Sequence, residues 1–317
     1  MKKNRVMLLV GIAALLQALA APARADYRVE KTLKLAPGGQ FILDSDAGSA
    51  SIVGSPEQGA RIVVTANRDD VEDLFNFSYD ESAGVARVTV RKKDRFRTIR
   101  NLGLHYEVRV PIETRLSIRT GGGGIEASGT KGDAEFRTSG GGLEISSIAG
   151  KVDAETSGGG VRLREVTGDA RVRTSGGGIQ AEYLTGALDA QTSGGPIRLE
   201  RVEGDISADT SGGSIDIHGA GGHVVARTSG GSVTVAFNRG NARGGQLETS
   251  GGSIRVALDP SVSLNLDASA SGGGVTASLP VTVSGHVSGS SLHGTIGKGG
   301  ETLSLHTSGG SIHIESM

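Results

Sequence analysis

The chain has 317 residues, with 33 Lys and Arg against 34 Asp and Glu, so its near-neutral charge does not favour nucleic acid as a partner. It contains no cysteine, which excludes disulfides, thiolate metal sites, a nucleophilic thiol and a lipidated cysteine. Glycine accounts for 52 residues while hydrophobic residues remain at 36%, and the glycine is periodic, so the composition indicates repeated turns in a folded protein.

Residues 1–25 have the pattern of a secretory signal peptide. A basic start precedes an apolar run over residues 6–21, and Ala-Arg-Ala at 23–25 has the small-x-small form of a cleavage site. The alternative is a retained membrane anchor, although the apolar run is short and contains Gln17. No second segment could span a bilayer. We therefore expect an exported mature chain, periplasmic or at the cell surface, that starts near Asp26.

Residues 26–118 are predicted to form a β-rich N-terminal cap. Apolar and polar residues alternate with period two in QFILDSDAGSASIVG, ARIVVTAN, VARVTVRKK and HYEVRVPIETRLSIR, as in strands of a half-buried sheet. Only 8 of the 52 glycines but seven of the ten aromatic residues precede Arg119. This change of composition places a boundary near residue 119.

A basic stretch within the cap, RKKDRFRTIR, is a candidate site for an anionic ligand such as a lipid phosphate or an acidic glycan. Its candidate residues are Arg91, Lys92, Lys93, Arg95, Phe96, Arg97 and Arg100. A second, smaller candidate is the insertion NRGNARGG, with Arg239 and Arg243. The alternative for both is a solvated surface, at a hairpin tip and at a bulged corner respectively.

Residues 119–317 are predicted to form a parallel β-solenoid, with regular coils over 120–245 and irregular coils from there to residue 317. Thr-Ser-Gly-Gly recurs every 18 residues from Thr138 to Thr228, and again at Thr249 and Thr307. Each unit carries apolar residues two apart in at least two short strands, separated by glycine corners. One unit cannot bury its apolar face alone, so successive coils must stack, with a right-handed crossover expected.

The TSGG tetrapeptide is predicted to be structural. We expect its threonine to point inward and bond to the same threonine one coil away, and its glycines to take a left-handed corner. A phosphate-binding nest is the alternative, but a phosphate loop should occur once, beside a lysine and a helix. The representative turn residues are Thr138, Gly140, Gly141, Thr156, Gly158, Gly159, Thr174, Gly176 and Gly177.

The sequence offers no pattern for catalysis, a cofactor or a metal. The seven histidines include pairs seven residues apart, His286 with His293 and His306 with His313, but no carboxylate recurs with ligand spacing. No serine stands in a Gly-x-Ser-x-Gly elbow, and no long loops interrupt the coils to form a cleft. We expect a non-enzymatic protein, with a carbohydrate-cleaving solenoid as the weaker alternative.

The chain resembles the bacterial putative-adhesin domain family, which is related to the head domain of putative auto-transporter adhesins. The resemblance is carried by KTLKLAPGGQFILDSDAGSASIVG, YEVRVPIETRLSIRTGGGGI, the recurrent TSGG and the final GTIGKGGETLSLHTSGGSIHI. It implies an exported solenoid-like β protein with an adhesin-like binding or scaffolding role and an envelope polymer or a protein as partner. Self-assembly is a further hypothesis, because GGSIHIESM ends in strand-like sequence without a visible cap.

Overall fold

The computed structural model describes residues 27–94, 99, 101–283 and 288–317. Over these residues the chain forms 29 β-strands and one short helix, and the strands make up two long sheets of 14 and 15 strands. The predicted all-β solenoid is confirmed. The predicted signal peptide, residues 1–25, lies outside the described residues, as do Arg95, Phe96, Arg97, Arg100 and His286.

The N-terminal region contributes eight strands and the helix α1, Val71–Leu74. The strands are β1 (Tyr27–Leu33), β2 (Gln40–Ser45), β3 (Ser49–Ser55), β4 (Ala60–Ala66), β5 (Phe75–Ser82), β6 (Val85–Lys92), β7 (His105–Pro111) and β8 (Arg115–Thr120). The period-two pattern predicted β2, β3, β4, β6, β7 and β8, because alternate residues of a strand face opposite sides of its sheet, but it did not include β1 and β5. In β2, for example, every second side chain is buried.

Each regular coil contributes one strand to each sheet. The strands of the first sheet are β9 (Ile125–Ser128), β11 (Leu143–Ala149), β13 (Val161–Thr167), β15 (Ile179–Leu184), β17 (Ile197–Val202), β19 (Ile215–Ala220), β21 (Val233–Phe237) and β23 (Ile254–Leu258). Those of the second sheet are β10 (Ala134–Thr138), β12 (Val152–Thr156), β14 (Ala170–Thr174), β16 (Leu188–Thr192), β18 (Ile206–Thr210), β20 (Val224–Thr228) and β22 (Gly245–Thr249).

The register of the coils follows the sequence period. Strand β10 pairs in parallel with β12 so that Ala134 is opposite Val152 and Thr138 is opposite Thr156, 18 residues further on. The same offset relates the following coils. Every column of the repeat is therefore a physical ladder of side chains about 4.8 Å apart.

The two sheets enclose one continuous hydrophobic core that extends from Leu33 to Ile314. In the coils it is filled mainly by Ala, Val, Ile and Leu, with Phe136 and Phe237 as buried aromatic residues. The N-terminal end buries further rings, among them Phe41, Phe75 and Tyr106. The sheets also cross the predicted boundary, because β8 already pairs with β10 in the register of the coils.

The C-terminal region adds six strands in an order that differs from the sequence. They are β24 (Leu264–Ala270), β25 (Val275–Ala277), β26 (Thr282–Val283), β27 (Ser291–Ile296), β28 (Thr302–Thr307) and β29 (Ile312–Ser316). Strand β28 lies between β22 and β24, and β29 lies between β23 and β25. The expectation that GGSIHIESM forms an uncapped end is therefore wrong, because β29 has a neighbour on each side.

Candidate binding surface along the TSGG corner

The threonine of each TSGG repeat ends a strand of the second sheet and is buried at the corner. The hydroxyl of Thr156 donates a hydrogen bond of 2.8 Å to the carbonyl oxygen of Gly141, in the preceding coil. The same bond recurs at 2.7 to 3.0 Å in the next four coils. The predicted bond between threonine hydroxyls occurs, among the described repeats, from Thr120 to Thr138 at 3.0 Å. Elsewhere the prediction is wrong, since the carbonyl is the acceptor.

The TSGG glycines are required by close approach between coils. A Cβ atom on Gly159 would lie 2.1 Å from the carbonyl oxygen of Gly141, whereas one on Gly158 would lie 3.4 Å from the oxygen of Gly140. The second glycine of each pair therefore cannot carry a side chain. The predicted left-handed backbone is wrong, because none of the six representative glycines has a positive φ: Gly140, Gly141, Gly158, Gly159, Gly176 and Gly177.

The left-handed residues occupy a different column, which the sequence analysis missed. Six residues spaced by 18 have φ between 52° and 79°, namely Gly129, Ser147, Glu165, Tyr183, Arg201 and Gly219. A non-glycine residue in this region is under strain. The only sequence signal is that glycine begins and ends the column. Tyr183 is 47% exposed, and its ring centroid lies 4.9 Å from the guanidinium carbon of Arg201, a cation–π contact on the solenoid wall.

A shallow groove of about 720 Å³ follows the TSGG corner along the solenoid axis. Its lining includes a row of exposed serines that occupy one column of the repeat, because each follows the buried threonine of its coil. The row consists of Ser157, Ser175, Ser193, Ser211, Ser229, Ser250 and Ser308. This arrangement places one hydroxyl group per coil in a straight line, at the spacing of neighbouring strands.

A charged column borders the serine row, formed by the residue before each threonine. Positively and negatively charged residues are mixed along this column, and some neighbours form ion pairs. Arg137 Nε lies 3.3 Å from Glu155 Oε2, and Arg227 Nε lies 3.3 Å from Glu248 Oε2. These pairs are partly exposed and each contributes little to stability. Because positive and negative side chains are paired, the groove has no large region of positive or of negative charge.

On the opposite corner of the second sheet, aspartates support the backbone. A carboxylate oxygen of Asp133 accepts a hydrogen bond of 2.9 Å from the backbone N–H of Lys151. Asp169 and Asp205 do the same for the residues 18 positions later, at 3.0 and 2.8 Å. These acids satisfy backbone donors at the corner of the following coil, and this accounts for their recurrence every second coil.

The basic segment is only partly a free cationic surface. The guanidinium of Arg91 donates to the carboxylate of Asp44, with Nη1 3.0 Å from Oδ1, and also lies 3.3 Å from Asp46 Oδ1. This hydrogen bond holds the pKa of Asp44 below its usual range, against the opposing effect of partial burial. Lys92 donates its backbone N–H to Asp46 at 2.9 Å, and Lys93 is exposed. The charge of Arg91 is therefore compensated within the fold.

Two histidines of the C-terminal region contact polar side chains of neighbouring strands. Nδ1 of His293 is 3.0 Å from Asp267 Oδ1, and Nδ1 of His313 is 2.8 Å from the hydroxyl of Thr276. Within the described ranges, no group of three or more His, Asp or Glu residues could hold a metal ion. Nor does any helix among these residues have the length and apolar character to cross a membrane.

The C-terminal repeats are similar to a known protein family. Residues 207–315 match the Toastrack DUF4097 family. This match confirms the resemblance of the TSGG repeats to a putative-adhesin domain family. None of the curated proteins matches the chain.

Several solved structures are similar to the chain over most of its length. A putative adhesin from Parabacteroides distasonis is 12% identical, with 92% of this chain and 97% of that chain covered and a TM-score of 0.41. A putative adhesin from Bacteroides fragilis is 11% identical, with 92% and 97% covered and a TM-score of 0.31. A putative cell adhesion protein from Clostridium sporogenes is 11% identical, with 92% and 99% covered and a TM-score of 0.23.

Proposed function

We propose that the protein is an exported, non-catalytic binding module of the cell envelope that holds an extended polar polymer, such as a glycan, along the TSGG groove. The observation that carries this proposal is the straight row of exposed serine hydroxyls. A hydroxyl group both donates and accepts hydrogen bonds, so a row of them suits a polymer whose own hydroxyls repeat along its length. The binding surface then grows with the number of coils.

The charges beside the groove support a neutral or weakly charged polymer. Arg137 and Arg227 are each paired with a glutamate of the next coil, so little net charge is left to attract a polyanion. The basic segment is a second candidate contact, suited to anionic groups on the same polymer. Lys93 is exposed there, whereas the pairing of Arg91 with Asp44 weakens its contribution.

The placement of the acids supports binding without cleavage. Glycosidases place two carboxyl groups on either side of the bond that they cleave. The acids that border the groove, Glu155, Asp209 and Glu248, lie in one column on one side of the serine row. Glu155 and Glu248 are in addition paired with arginines. This arrangement favours a solvated wall over an acid and base pair.

The proposal is tested by co-sedimentation of the purified protein with peptidoglycan and with outer-membrane lipid, each over a salt series. We expect retention by the glycan fraction that the triple variant Ser175→Ala, Ser193→Ala, Ser211→Ala loses. The matched control replaces Arg162, Gln180 and Arg198, three polar residues in one column of the first sheet, and should bind as the parent does. Equal retention of both triple variants would contradict binding in the TSGG groove.

The salt series separates the two candidate contacts. Retention through hydroxyl groups should change little between low and high salt, whereas retention through the basic segment should fall steeply, because salt screens exposed charges. If the basic segment is the contact, neutralising Lys92 and Lys93 should abolish retention, whereas the triple serine variant should be retained as the parent is.

Export is a separate part of the proposal and rests on residues 1–25. We expect the mature protein, recovered from the periplasmic or surface fraction of its host, to begin at Asp26. Intact-mass measurement of that material checks the cleavage site. A chain that retains its apolar N-terminal run and sediments with membranes would support the alternative of a membrane anchor.

A further inference from the structure

The coil formed by β28 and β29 is inserted between two coils that precede it in sequence. Thr307 is opposite Thr249 on one side and Ala270 on the other. The coil that contains Thr307 therefore lies between the coils that contain Thr249 and Ala270, although it follows both in sequence. In the first sheet, β29 pairs with β23 through Ile312 opposite Ile254 and with β25 on its other edge. The strands from β10 to β21, in contrast, each lie between the preceding and the following strand of their own sheet in sequence order.

The inserted coil joins the C-terminal cap to the body of the solenoid. Strands β24 and β25 pair with β28 and β29, and β22 and β23 pair with the same two strands from the opposite side. Removal of the segment 302–316 would leave a slot one coil wide. The missing coil would lie about 4.8 Å from the coil on each side of this slot. Both walls of this slot would expose unpaired backbone N–H and C=O groups, which readily take up another strand.

A glycine-rich connection leads from β27 into the inserted coil. Gly297 and Gly299 have φ of 59° and 77°, a conformation that glycine adopts without strain. Five hydrogen bonds hold this connection in the closed form. The N–H of Lys298 donates to Ser263 Oγ at 3.1 Å, and the N–H of Gly299 donates to the carbonyl oxygen of Ile296 at 3.2 Å. The other three join Asn265 to Gly300 and Glu301. Exchange must open these bonds, and Gly297 and Gly299 then allow the connection to take a different direction.

The slot fits the segment 302–316 specifically. Leu305 is buried between Leu247 and Ala268, and the hydroxyl of Thr307 donates to the carbonyl oxygen of Gly252 at 2.7 Å. The corner bond of the regular coils is thus reproduced, and an identical segment from a second copy would reproduce every one of these contacts.

We propose that two copies of the chain exchange the segment 302–316, each filling the slot between β22 and β24 and between β23 and β25 of the other. The exchanged and the closed forms contain the same strand pairs, so they differ mainly in the path of the connection 297–301. This self-association involves strand edges of the cap and shares only Ser308 with the serine row of the proposed polymer groove, since the other serines lie outside the exchanged segment.

Cysteine cross-linking tests the exchange directly, since the chain has no cysteine of its own. One copy carries Gln246→Cys and a second, with a tag that changes its mass, carries Ser304→Cys; these positions are opposite each other in β22 and β28. The two are refolded together from denaturant at high concentration and oxidised. A chain with both substitutions shows whether the positions can form a disulfide within one copy.

The matched control places Gln191→Cys and Asp209→Cys in separate copies, at opposite positions of β16 and β18. Those coils are connected to neighbours on both sides and cannot be exchanged singly. We expect a mixed dimer for the first pair, in several-fold excess over the control pair and increasing with protein concentration. If the double variant closes on itself while the mixed dimer does not exceed the control, the proposal is overturned.

Discussion

The hydroxyl of Thr156 donates to the carbonyl oxygen of Gly141 at 2.8 Å and accepts from the N–H of Gly159 at 3.4 Å. Gly141 belongs to the preceding coil and Gly159 to the same coil, so one side chain connects the two corners. The pattern recurs along the solenoid. The corner is therefore held by side-chain bonds in addition to the strand pairing.

This relationship predicts the effect of removing one hydroxyl. The substitution Thr174→Val keeps the shape of the side chain but removes the donor to Gly159, so it should lower the free energy of unfolding by about 1 kcal/mol. Denaturant titration followed by circular dichroism measures the change. The same substitution at Thr185, which is exposed, should have no effect within error. Equal losses at both positions would show that the corner bond is unimportant.

The two glycines of a repeat should respond differently to alanine. Gly159→Ala places a methyl group 2.1 Å from the oxygen of Gly141 and should destabilise the protein by roughly 1 to 3 kcal/mol, because the coils must separate locally. Gly158→Ala has 3.4 Å to its nearest atom and should be tolerated. Thermal unfolding of the two variants checks this prediction. A melting temperature for Gly158→Ala below that of Gly159→Ala would refute the close-approach explanation.

The left-handed column predicts a stabilising substitution. Glu165 has φ of 55°, so Glu165→Gly should raise the free energy of unfolding by up to about 1 kcal/mol, the relief of strain exceeding the entropy that glycine loses on folding. Loss of the exposed bond from Ser147 reduces this gain slightly. Glu144→Gly, within the regular strand β11, should instead destabilise. Denaturant titration of both variants decides whether the column is strained.

The pair of Asp44 and Arg91 predicts a pH dependence below about pH 4, near the ordinary pKa of an aspartate. The folded-state pKa of Asp44 lies below that value, so the pair stabilises the protein above it and this stability is lost as the pH falls through the folded-state pKa. Asp44→Asn should therefore lose less stability on acidification than the parent. Arg91→Met should remove the same part of the pH dependence, and the double variant should add nothing further.

The period of 18 residues determined much of the fold without any long-range information. Because each coil repeats the same unit, columns such as Thr138, Thr156 and Thr174 had to stack, and the alternation within each strand separated buried from exposed positions. The serine row beside the buried threonines follows from the same columns. The absence of cysteine likewise excluded disulfides from the sequence alone.

The sequence did not determine how neighbouring corners meet. Two contacts depend on how far one corner is displaced relative to the next: the bond that the Thr156 hydroxyl donates and the clash that excludes a side chain at Gly159. The repeat period does not specify this displacement. The left-handed column was hidden for the same reason, since Ser147, Glu165 and Tyr183 share no residue type. The partner of Arg91 is 47 residues away and is brought near by the pairing of β2 with β6.

The order of the last coils was decided by the tertiary structure alone. Coils with the same apolar pattern can pair with one another in several orders, so the alternation within β22, β24 and β28 is compatible with more than one stack. The structure places β28 between the other two because Thr307 reproduces the corner bond to Gly252, whereas Ala270, without a hydroxyl, terminates the threonine column. Local pattern thus specified what a coil is, and long-range pairing specified which coil lies next to which.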